Sequence, residues 1–142
     1  MTFKDIIGQS FLKTKLIQDV DSGRVPHAQL FVGKRGVGGM PMAIAYADYL
    51  TNQQSDGLGD VNPLTHPNIH FVYPVTTSEK VKSKPISSNY INEWRAFIQT
   101  NPYGAINDWY DFIGVGNKQG SIGAEEAIDI AYLASKGIIK LR

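Results

Sequence analysis

Seven consecutive residues, Gly33-Lys34-Arg35-Gly36-Val37-Gly38-Gly39, carry four glycines between a short apolar run and a stretch of good helix formers. The run before them, Ala28-Gln29-Leu30-Phe31-Val32, is bounded by turn residues, the pattern of a buried strand. After them Pro41 opens Met42-Ala43-Ile44-Ala45-Tyr46-Ala47-Asp48-Tyr49-Leu50. Proline fits the first helical turn, where its missing N–H costs nothing. Strand, glycine loop and helix in this order predict an α/β fold, with a parallel sheet flanked by helices and a phosphate-type loop at its centre.

A working P-loop reads G-x-x-x-x-G-K-[ST]. Its glycines let backbone N–H groups turn inward around phosphate, and the helix start adds a positive end. The lysine reaches the terminal phosphates, and the hydroxyl binds magnesium. Here Gly33 and Gly38 stand at the two glycine positions, Gly39 at the lysine position and Met40 at the hydroxyl position. No charge is then directed at the terminal phosphates, and methionine offers magnesium no hard oxygen. Pro41 removes a further donor. Lys34 and Arg35 precede the cradle and are expected to face solvent. Gly33, Gly36, Gly38, Gly39 and Met40 therefore read as a vestigial phosphate loop, with no catalytic residue and no cofactor. Any surviving function of its amides would be weak anion binding.

The rest of the chain supplies further elements. Residues Gln9 to Val20 predict a helix capped by Ser10, with Phe11, Leu12, Leu16, Ile17 and Val20 on one face. Asp21-Ser22-Gly23 ends it. Thr51 to Pro67 reads as irregular loop, and Ile69-His70-Phe71-Val72-Tyr73 as a second strand stopped by Pro74. Thr76 to Asn89 is polar, with Lys80, Lys82 and Lys84 alternating on an exposed loop. Tyr90 to Gln99 predicts a helix presenting Ile91, Trp94, Phe97 and Ile98. Gly123 to Ser135 predicts a last helix with Ile128, Ala131 and Tyr132 in period, and Ile138 to Leu141 a short strand.

Composition narrows the function classes. The 142 residues include 14 basic and 13 acidic side chains, a formal net charge of +1. Nucleic-acid binders usually show a basic face, so direct DNA binding by this segment is not indicated. There is no cysteine, which excludes disulfides and thiolate metal sites and suits a reducing cytoplasm. Neither a signal-peptide core nor a membrane-length apolar run is present.

Several spaced segments carry a resemblance. Phe3-Lys4-Asp5-Ile6-Ile7-Gly8-Gln9, then Gly23-Arg24-Val25-Pro26-His27-Ala28-Gln29-Leu30-Phe31-Val32-Gly33, resemble the opening of bacterial clamp-loader ATPases. In that family "I-G-Q" precedes the first helix and "H-A-x-L-F-x-G" leads into the P-loop. Thr65-His66-Pro67-Asn68-Ile69 is similar to the family's "H-P-D" segment, with Asn68 replacing aspartate, and Ile122-Gly123 also fits. The resemblance implies an AAA+-type P-loop module. Gly8 and Gln9 would then lie on the former adenine side. The module's acidic magnesium-site strand and arginine sensors would fall after Arg142, so residues 1–142 are expected to be an N-terminal domain or a fragment. Residues 76–119 have no counterpart in the family pattern and read as an insertion. The family's four-cysteine zinc module would be absent or metal-free between Thr51 and Thr65.

The loop's lost groups then imply a non-catalytic member of the family. Its partners would be the ATP-binding gamma/tau-like and the delta-like clamp-loader subunits, with primer-template DNA met only indirectly and no membrane. Two other readings stand beside it: an ATPase with an unorthodox loop, and an adaptor binding protein through Trp94, Tyr103, Trp109, Tyr110 and Phe112. His66 and His70 stand four apart, but Pro67 breaks any helix between them and no third ligand is apparent, so no metal site is expected. His27 reads as a structural histidine at the start of the first strand.

Overall fold

The computed structural model describes residues 1–52 and 61–135, and the chain divides into two compact units, Met1–Ile69 and His70–Arg142. Among the described residues the structure is helical, with no strand and no sheet. The predicted parallel-sheet α/β fold is therefore overturned. The predicted strand at 138–141 lies outside the described residues.

The first unit holds α1 (Ser10–Asp21) and α2 (Gly39–Asn52), preceded by a 3-10 turn at Phe3–Asp5. That turn is closed by a capping box. Thr2 N donates to Asp5 Oδ2 at 2.7 Å, and Lys4 N donates to Thr2 Oγ1 at 3.3 Å. The backbone amide at Thr2 is the main reason that the Asp5 carboxyl sits below its ordinary range. Ser10 is not the cap of α1. Gln9 holds that place in the left-handed region, at φ 56, and makes no side-chain cap bond. The core joins Phe3, Ile6, Leu16, Met42, Ala45 and Tyr46, with Ile17, Val20, Phe31 and Tyr49 packed against it. Tyr49 Oη donates to Asp21 Oδ1 at 2.7 Å, tying α2 to the end of α1. Burial pushes the Tyr46 phenol up from its ordinary range.

Residues 28–32 show why an apolar run did not make a strand here. Leu30 and Val32 are 88% and 86% exposed, whereas Phe31 packs on the core with its ring 6.2 Å from Tyr46. Phe31 anchors the segment to α2, and no ladder forms beside it. His27 is exposed in a bend, not a structural residue at the start of a strand.

The second unit contains α3 (Ile91–Thr100), α4 (Ile106–Phe112) and α5 (Ala124–Ser135), with a 3-10 turn at Ser87–Tyr90 leading into α3. Its core is aromatic. Trp94 stacks on Tyr73 with ring centroids 4.1 Å apart, and Trp109 meets both edge-on, at 5.2 Å from Trp94 and 5.3 Å from Tyr73. Edge-to-face and offset geometries are those that aromatic quadrupoles favour. Phe97 and Phe112 extend the cluster. The spacing of Trp94, Phe97 and Ile98 on α3 puts all three on the buried face.

Residues 69–73 are likewise not a strand, and the reason is visible in their hydrogen bonds. The N–H of Tyr73 donates to Ser87 Oγ at 3.0 Å, and Ser87 Oγ donates to the Tyr73 carbonyl at 3.1 Å. Trp109 Nε1 donates to the Pro74 carbonyl at 3.0 Å. Side chains satisfy groups that a neighbouring strand would otherwise pair. Among the described residues, Val75 makes an isolated antiparallel bridge with Ser121.

The last helix reverses the expected face. Ile128 and Tyr132 are exposed at 70% and 54%, while the buried residue of α5 is Glu126. Polar clasps hold its first turn. Glu126 Oε2 accepts from Ser87 N at 2.6 Å, and Lys84 pairs with Glu125 at 3.0 Å.

Candidate functional site: the glycine loop and the start of α2

The loop forms as a turn running into a helix. Val37 N donates to the Lys34 carbonyl at 3.3 Å, closing a four-residue turn in which Gly36 takes φ 79. A third-position residue with positive φ is the type II requirement that favours glycine. Gly38 follows at φ 92 and is buried, and α2 begins at Gly39. At Gly33 a Cβ would meet Val37 Cγ2 at 2.6 Å, so the turn folds back closely over that position.

The helix start carries few donors. Pro41 has no N–H, and Met42 N is bonded to the Gly38 carbonyl at 3.0 Å. Within the first four residues of α2, only the amides of Gly39 and Met40 remain to face an anion. Neither position bears an ammonium or a hydroxyl, and the Met40 side chain is half-exposed. Lys34 and Arg35 lie exposed in the turn.

Beside the loop lies a cavity of about 350 Å³. Its walls are largely apolar, from Leu12 and Leu16 of α1, Phe31, Val37 and Met42, with Gln9 and Gln29 as polar side chains. The size falls in the range of small-molecule sites. Gly33, Gly38, Gly39 and Gln9 line this one cavity, so the structure brings together sequence-predicted residues that are 24 or more positions apart in the case of Gln9. Gly36 sits in the turn and Met40 on the outer side of the helix start, and neither lines the cavity. Gly8, at φ 66, also lies outside the lining; with Gln9 it forms the left-handed approach to α1. Of the two amides, only that of Gly39 belongs to a residue lining the recess, which is otherwise mostly apolar. Neither Gly39 nor Met40 supplies the ammonium or hydroxyl that a working P-loop directs at the terminal phosphates and magnesium.

Other sequence-predicted residues are placed elsewhere. The imidazole of His66 is buried, with Nδ1 accepting from Asn68 N at 3.1 Å, whereas His70 is exposed. Among the described residues no three His, Asp or Glu side chains converge as metal ligands would. Lys80 pairs with Glu93 at 2.5 Å and lies 5.8 Å from the Tyr90 ring centre, and Lys84 pairs with Glu125. Those pairings hold both carboxyls below their ordinary range and leave Lys82 as the exposed, unmatched member of the alternating lysines. Trp94 and Trp109 are 4% and 0% exposed, which removes them from any contact surface. Phe112 remains half-exposed.

The arrangement around Ser87 had no signal in the sequence. Ser87 Oγ and both of its backbone groups are bonded, since Tyr73 Oη also donates to the Ser87 carbonyl at 2.6 Å. Burial, reinforced by the charge of Glu126, pushes the Tyr73 phenol far above its ordinary range. An acid in the first turn of a helix is explained by the helix dipole alone, so Glu126 did not stand out.

Among the described residues, no helix is long and apolar enough to cross a membrane. Comparison with protein-family models, with curated proteins and with solved structures yields no match to this chain.

Proposed function

We propose that this chain serves as a non-catalytic, delta-prime-like subunit of the bacterial DNA polymerase III clamp loader. Its work is mechanical. It holds a fixed place beside the ATP-binding gamma/tau-like subunits and the delta-like subunit while they load the sliding clamp. The ordered motifs from Phe3 to Gly33 and from Thr65 to Ile69 support the family. The start of α2 supports the non-catalytic role. The observation that carries the reading is that Gly39 and Met40 occupy the first two positions of that helix, where an ATPase places its lysine and hydroxyl. The reading rests on these motifs and on the chemistry of the loop.

Co-expression with the clamp-loader subunits of the same cell tests it. The account expects one complex containing this chain, the ATP-binding subunit and the delta-like subunit, stable through size-exclusion chromatography. Elution of this chain apart from both subunits contradicts it.

A further inference from the structure

We draw no further inference here: the strongest candidate, the exposed apolar face of α5 around Ile128, carries nothing, because nothing in the structure shows what covers it.

Discussion

Glu126, in the first turn of α5, accepts a hydrogen bond of 2.6 Å from the backbone amide of Ser87, and both residues are almost fully buried. No other buried side chain of α5 ties that helix to its unit. Removing the carboxylate leaves a buried N–H without a partner, which costs on the order of 1–3 kcal/mol. Glu126→Ala is expected to destabilise the second unit by that amount, and Glu126→Gln, which keeps an amide oxygen in place, by less. Both tryptophans lie in this unit, so tryptophan fluorescence during urea unfolding reads the effect directly.

Trp109 is fully buried between Tyr73, Trp94, Phe97 and Phe112 and donates its indole N–H to the Pro74 carbonyl. Trp109→Ala removes a large ring from a packed core, a change that costs roughly 3–5 kcal/mol. The remaining Trp94 emission is expected to shift to the red as water reaches it. Near-UV circular dichroism, which reports fixed aromatic packing, checks the same loss.

Alkaline pH acts through Tyr73. Its phenol is raised above the ordinary 10.0 because burial opposes the charged form. A group raised on folding contributes stability that is present below its unfolded value and lost as pH climbs towards the folded value. Denaturation midpoints of the second unit are therefore expected to fall as pH rises past the ordinary tyrosine value of about 10. Tyr73→Phe lowers stability at neutral pH by losing the bond to the Ser87 carbonyl, and it flattens the alkaline decline.

The ion pair of Lys80 with Glu93 is partly exposed on both sides. Such pairs contribute under about 1 kcal/mol and are screened by salt. The Glu93 carboxyl is held down chiefly by its bond to Lys80, so its small contribution is present above the unfolded carboxylate value and lost as pH falls through the folded one. Lys80→Ala is expected to change stability only slightly at low ionic strength, and indistinguishably from the parent at high salt. Paired denaturation curves at the two ionic strengths measure this.

The helices were largely legible. Pro41 and the glycines marked the start of α2, and the spacing of Trp94, Phe97 and Ile98 marked the buried face of α3. The sheet was not. An apolar run states that something must cover it, but not whether a strand does. At Tyr73 the backbone is bonded by the Ser87 hydroxyl, a partner 14 positions away. At Leu30 and Val32 nothing covers the side chains, and only Phe31 is anchored. Periodicity also misled at α5, where Ile128 and Tyr132 fall on one face but the buried contact is a single carboxylate. The proposed loss of the lysine and hydroxyl was read from the residue types at Gly39 and Met40 alone. The cavity that joins Gln9 to the loop was visible only once α1 and α2 were packed.

Phosphate release from ATP with magnesium, measured on highly purified protein, puts the proposed non-catalytic role of the loop to its most direct test. The account predicts a rate no higher than that of buffer alone and no saturable binding of labelled nucleotide. Steady release that disappears in Gly38→Asp would contradict it.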